Sequence, residues 1–465
     1  MLSRRQLALG SAAIAALSGA SSVRAMDRPQ PNILFIMADD MGYADLSCFG
    51  RRDYKTPHID RLASQGLRLE QAYANSSVCS ATRVALITGR YQYRLPIGLE
   101  EPLQARDIGL PPETPTMPGM LKSLGYETAL VGKWHMGRMP KYGPLLSGYD
   151  HFWGFRGGGV DYFTHQFGAG RPDLWDDDRP VRTEGYLTDL LGDRAVEMLE
   201  HFAARPGPFM MSLHFNAPHW PWEGPDDGPR AAELAESTDP MAIYDLGGGS
   251  LKTYAEIVTR LDFQVGRVMQ ALERLNLHRE TIVVFTSDNG GERFSDTWPL
   301  TGRKGELLEG GIRVPTIIRW PGRVPAGTVS QEVTLSMDWL PTFMAAAGAP
   351  PMSVSSTDGL DLAPIFRGEK LSERSVFWRF RSLGQEACRR GDMKYLKIAG
   401  HTFLFNVRED PMERANLKNS HADVYAELVA EFEAWNATML PNDPLADTYL
   451  PTGDHFADRN GPPAN

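Results

Sequence analysis

The sequence predicts an α/β protein: a large mixed, mostly parallel sheet flanked by helices, with a smaller C-terminal antiparallel sheet plus a helix. Three observations carry that expectation. Several apolar runs lack polar alternation, the pattern of strands buried on both faces. Between them lie segments with helical spacing, notably 186–204 and 253–275. The runs also end abruptly in residues able to do chemistry, and in open α/β sheets ligands bind beyond the carboxyl ends of the strands.

Taken in order, the run 32–38 (NILFIMA) ends in Asp39-Asp40. Residues 81–88 read as a short helix stopped by Gly89, with Cys79 at its positive end and Arg83, four residues on, sharing its face. The run 128–132 (TALVG) ends in Lys133-Trp134-His135, and 209–215 (FMMSLHF) ends in Asn216-Ala217-Pro218-His219. The run 281–286 (TIVVFT) ends in Ser287-Asp288-Asn289-Gly290. A glycine-rich stretch, 302–315, puts Lys304 in a tight loop before the strand 316–320. A Pro/Ser-rich linker, 350–357, follows; short β-rich runs at 376–380, 394–398 and 402–407 then suggest a small sheet covered by an amphipathic helix, 422–440. The expected division is a leader, 1–25, a large domain, 31–349, a small α+β subdomain, 358–440, and an irregular tail, 441–465.

The leader has the form of a twin-arginine signal peptide: Arg4-Arg5, an alanine-rich apolar run, and a small-residue cleavage site at Val23-Arg24-Ala25. It predicts export by the twin-arginine translocase to the periplasm or beyond, with no membrane span after its removal. The chain carries a net charge of −10, or −13 once the three leader arginines are gone. Such a surface gives no general attraction to nucleic acid or anionic membrane, so an anionic substrate needs a local cationic site. Three cysteines, Cys48, Cys79 and Cys388, are too few for a disulfide framework.

Each polar cluster alone reads equally well as an ordinary strand-end turn. Four at one sheet edge read as a site. Asp39, Asp40, Asp288 and Asn289 are hard oxygen ligands far apart in sequence, which suits calcium or magnesium; cysteine scarcity and the lack of an H-E-x-x-H motif argue against zinc. Lys304 alone is a solvated lysine; beside the others it is an anion clamp.

The segment CSATRVALITGR (79–90) resembles the signature of the type I, formylglycine-dependent sulfatases, C-x-(P/A)-x-R with a T-G-R tail. The Asp39-Asp40 pair and the GKWHMG, NAPH, SDNG and GRKGELLEGGIRVP stretches are similar, in order, to landmarks of arylsulfatase-like enzymes in the alkaline phosphatase superfamily. The resemblance implies that 31–349 is the catalytic domain and that Cys79 is oxidised to formylglycine (3-oxoalanine) by a maturation enzyme. It makes Asp39, Asp40, Asp288 and Asn289 calcium ligands, completed by modified Cys79. It implies that Arg83 holds the formylglycine hydrate, that Lys133 and Lys304 bind sulfate oxygens, with His219 also touching substrate, that His219 with Lys304 protonates the leaving oxygen, and that His135 takes the last proton. Ala81 replaces the commoner proline of the signature, and Asn406 stands where the family often has aspartate. The loop 154–182 and Trp220 and Trp222 beside His219 suit a sugar or aryl ring, so a sulfated carbohydrate is the expected substrate. The alternatives are a phosphomonoester or phosphonate monoester hydrolase of the same superfamily, and an exported carbohydrate-binding protein with unmodified Cys79.

Overall fold

The computed structural model describes residues 30–449 apart from 168, 169, 240, 241 and 355, so the leader, 1–25, lies outside the described residues. Ten strands form the main sheet, and its centre is parallel: Thr281–Ser287, Asn32–Ala38, Phe209–His214, Glu127–Lys133 and His151–Phe155 lie side by side in that order. Thr316–Arg319 joins antiparallel beside Thr281–Ser287, and a short antiparallel hairpin extends the other edge from His151–Phe155.

Period-two alternation explains why the central run has no polar face. Leu34, Ile36 and Ala38 point into one apolar layer, shared with the helices Leu187–Ala203 and Leu251–Arg274. Ile33, Phe35 and Met37 point into the other, shared with the helix Trp339–Ala346. Each fully buried Leu, Ile or Phe contributes about 1.5–3 kcal/mol, so both faces hold the strand in register. That register sets Ala38 opposite Ser287 and Met37 opposite His214, which brings the carboxyl ends of four strands to one edge.

The second sheet is four-stranded and antiparallel: Ser375–Phe380, Gln385–Arg390, Met393–Ile398 and His401–Asn406. Helix Ala422–Asn436 covers it through Leu428 and Phe432. The sequence reading found three of these strands and missed Gln385–Arg390 (QEACRR). Its polar side chains are consumed inside: Gln385 Oε1 accepts the Leu307 N–H at 2.8 Å, and Arg389 donates to Gln71 Oε1 at 2.8 Å and to the Tyr73 hydroxyl. Leu362, Ile365 and Phe366 pack into the large core, so the small sheet begins only at Ser375. Two helix bounds also differ from expectation. The first runs Cys79–Thr88, with extended Val78 as N-cap and Gly89 (φ 64°) closing it in the left-handed conformation. The last stops at Asn436, short of 440.

Candidate active site

The four strand ends and the helix Cys79–Thr88 meet at the carboxyl edge of the sheet. Ligating atoms of Asp39, Cys79 and Asp288 all lie within 4.8 Å of one another, and so do those of Asp39, Asp40 and His219. Asp40 (φ 62°) turns the chain back so that its N–H reaches Asp288 Oδ1 at 3.2 Å and its Oδ1 accepts Asn289 Nδ2 at 2.8 Å. All of these side chains are buried.

Each aspartate faces a buried cation. Arg83 donates through Nη2 (2.8 Å) and Nε (3.1 Å) to Asp288 Oδ2, and Nη1 reaches the Lys133 carbonyl at 3.2 Å. Lys133 Nζ lies 2.6 Å from Asp39 Oδ2, and Lys304 Nζ lies 2.7 Å from Asp40 Oδ2. Three carboxylates thus balance three cations in a dry pocket. The balance is local: burial and then Asp288 push Asp39 well above the ordinary carboxylate range. Burial alone would raise Asp288 too, but Arg83 and Lys133 hold it below its ordinary value.

The donor set fits a hard divalent cation. Asp39 Oδ1 and Asn289 Oδ1 are buried and accept no hydrogen bond, a costly state for an oxygen that a cation would relieve. Asp39, Asp40, Asp288 and Asn289 are the residues that would hold it. With Asp39, Asp40 and Asp288 ionised against Arg83, Lys133 and Lys304, a charge of +2 added there takes the cluster from neutral to a net charge of about +2, an anion receptor.

Cys79 itself is buried, and burial pushes its thiol up to about 11, far from the thiolate that a cysteine nucleophile needs. Its backbone nonetheless opens the helix that carries Arg83, so residue 79 and the guanidinium are fixed on one rigid element.

The two histidines are set in opposite tautomers. His135 Nε2 lies 2.8 Å from the Leu103 carbonyl and must donate, leaving Nδ1 as the basic nitrogen with no partner. His219 Nδ1 donates to the Trp220 carbonyl at 2.6 Å, leaving Nε2 to accept from Lys304 Nζ at 3.3 Å. Burial, then Lys133, lowers His135; burial, then Lys304, lowers His219; both stay neutral. Two glycines make room for the rings. A Cβ on Gly158 would lie 2.7 Å from His135 Cε1, and one on Gly159 would lie 2.9 Å from His219 Cε1.

Above this floor opens a cavity of about 680 Å³, lined by Cys79, His135, His219, Trp220 and Lys304. The aspartates, Asn289, Cys79, Arg83, the two lysines and the two histidines singled out in the sequence lie at this edge, and Trp220 lines the cavity; Trp222 does not line it but packs buried against Phe294, with ring centroids 5.0 Å apart. Others were not foreseen. His214, the last residue of its strand, places Nδ1 3.2 Å from Arg83 Nη1; it was hidden as one letter in an apolar run. Glu292 stands 3.6 Å from Lys304, three residues beyond the Asp288-Asn289 pair. Tyr449 lines the cavity and donates its hydroxyl to Glu292 Oε1 at 2.8 Å. Its segment is strapped down: Asp443 pairs with Arg106 at 2.7 Å, and Asp447 Oδ2 accepts the N–H groups of Gln104 (3.2 Å) and Ala105 (3.0 Å). Nothing in the pattern of the tail signals this.

A hydrolase of tetrahedral oxyanion esters, built on an alkaline phosphatase-like sheet, is the class that this arrangement defines. Residues 31–349 match the Sulfatase family model, and 303–438 match the model of the N-sulphoglucosamine sulphohydrolase C-terminal region. Canine N-acetylgalactosamine-6-sulfatase is 31% identical over 387 residues, covering 77% of this chain and 70% of that one. Mouse steryl-sulfatase is 33% identical, covering 77% and 69%. The crystal structure of Ps i-CgsB in complex with k-i-k-neocarrahexaose superposes with a TM-score of 0.80 at 31% identity, covering 90% of this chain and 95% of that one. The chain belongs to the sulfatase family, within the alkaline phosphatase superfamily, and is a sulfuric ester hydrolase. Enzymes of this family generally use a metal ion and a formylglycine residue. No helix among the described residues is long and apolar enough to cross a membrane.

Proposed function

We propose that the protein releases sulfate from a sulfated carbohydrate, with Cys79 oxidised to formylglycine and calcium held by Asp39, Asp40, Asp288 and Asn289. One observation carries the reading: Cys79 meets Asp39 and Asp288 within 4.8 Å at the floor of a cavity ringed by cations. Its Sγ stands where the oxygens of the hydrated aldehyde would sit. When present, the two groups supply a hydroxyl nucleophile and a Lewis acid for sulfate.

The remaining work falls to side chains. Lys133 and Lys304, pointed at the carboxylates by their ion pairs, are the cations released to bind sulfate oxygens once those carboxylates are otherwise neutralised. Arg83 keeps Asp288 ionised and oriented. The Lys304–His219 contact gives a proton path toward the leaving oxygen, and His135 Nδ1 is the base positioned for the proton lost before sulfate departs. A carbohydrate substrate is supported by the Ps i-CgsB complex and by relatives named for a sulfated amino sugar. We read 1–25 as the twin-arginine leader, which places the enzyme in the periplasm or outside the cell.

The test is sulfate release from sulfated saccharides and matched phosphate esters, with mass analysis of the peptide bearing residue 79. Sulfate turnover with an aldehyde mass, and its loss in Cys79→Ala, is the expected result. Turnover by an unmodified thiol form, or a preference for phosphate esters, overturns the reading.

A further inference from the structure

The rim of the cavity carries charge that hydrolysis of one sulfate does not use. Arg106, Arg138, Arg156 and Arg171 line it, against Asp173 as the single lining carboxylate among the described residues, in a chain whose net charge is −10. Arg106 and Arg156 each face a carboxylate. Arg106 pairs with Glu100 and Asp443 at 2.7 Å each, and Arg156 pairs with Asp173 at 3.1 Å. Arg138 is exposed and makes one hydrogen bond, Nη2 to the Ala105 carbonyl at 2.7 Å, with no ion pair among the described residues. Arg171, also exposed, holds its guanidinium 5.8 Å from the Phe167 ring centroid.

The position of Arg138 is fixed relative to the proposed chemistry. The Leu103 carbonyl holds His135, and the Ala105 carbonyl, two residues on, holds Arg138. Two residues span at most about 7 Å, so the anchors of base and guanidinium lie about one sugar ring apart. The anchoring segment is itself rigid: the Leu103 N–H donates to Ser80 Oγ at 2.8 Å, and Asp447 grips the next two N–H groups. A planar guanidinium held in this way is preorganised for a sulfate or carboxylate.

The geometry points to a second anion subsite at Arg138 for a sulfate or uronate on the ring next to the one being desulfated. The inference rests on the carbohydrate reading above and narrows the substrate to a polyanionic saccharide.

Three disaccharides test it: one sulfated on both rings, one with a sulfate and a neighbouring uronate, and one with a sulfate and a neutral neighbour. The wild type should favour at least one dianionic substrate in kcat/KM by about 10–100-fold, the range of a charge-assisted hydrogen bond, and the favoured member names the group. Added salt should erode that preference through KM. Arg138→Gln should abolish most of it, while Arg179→Gln, a charge lost outside the cavity, should keep it. Equal use of all three disaccharides, or an equal loss on all three in Arg138→Gln, overturns the subsite. Cleavage of an aryl sulfate but of no saccharide instead overturns the carbohydrate reading itself.

Discussion

Replacing Arg83 by glutamine removes the cation that faces Asp288 and leaves the fold around it otherwise intact. In the wild type the guanidinium is fully buried, donates twice to Asp288 Oδ2 and sits 3.8 Å from Asp39 Oδ1. Breaking a buried pair by deleting one partner costs about 3–5 kcal/mol, because the remaining charge stays desolvated. Here the penalty is paired with a compensating effect. The same carboxylates form the proposed calcium site, and removing a neighbouring positive charge strengthens their hold on a divalent ion. Each tenfold gain in calcium affinity returns about 1.4 kcal/mol at saturation. The expected outcome is therefore a large drop in unfolding midpoint for Arg83→Gln in chelator, and a visibly smaller drop in excess calcium. Denaturant titrations of both proteins under both conditions measure it. An equal drop with and without calcium, or a variant as stable as wild type in chelator, would refute the electrostatic account of the cluster.

Two further outcomes follow from neighbouring geometry. Glu223, pushed up to about 9 by burial and then by Asp161, retains a proton in the fold well above its ordinary value of 4.5; its Oε2 accepts the Tyr162 N–H at 3.2 Å and its buried Oε1 has no hydrogen-bond partner. Because the folded state binds the proton more tightly, the stabilisation is full below pH 4.5 and is lost as pH rises toward 9. The Tm of wild type should therefore fall relative to Glu223→Gln between about pH 5 and pH 9, and a constant gap in calorimetry would contradict the proton retained on Glu223. Gly158→Ala places a methyl 2.7 Å from His135 Cε1. It should lower kcat for sulfate release by about 10–100-fold through displacement of the ring, with little change in Tm, and unaltered kcat would remove His135 from the reaction.

What could be read from the sequence, and what could not, divides along the range of the interactions. Asn32–Ala38 and its neighbours were legible because a strand buried on both faces imposes an unbroken apolar run, and the residue that ends the run is where a parallel sheet presents chemistry. Asp39, Asp288 and Cys79 could be named from that grammar together with the motif resemblance. His214 was not, because a polar residue that closes an apolar run looks like part of it. Strand Gln385–Arg390 was missed because its polar side chains are satisfied by partners near Tyr73 and Leu307, a match that local pattern does not encode. Tyr449 is the extreme case: its role depends on Glu292, 157 positions away.

The strap formed by Asp443, Asp447 and Tyr449 has a consequence for biogenesis. The wall that holds Gln104 and Ala105 is synthesised long before the groups that brace it, with Gln104 and Asp447 standing 343 positions apart. A nascent chain can lay down the large sheet while its pocket is still open on that side. Synthesis of the segment 443–449, and not formation of the sheet, is the event that closes the chamber around residue 79.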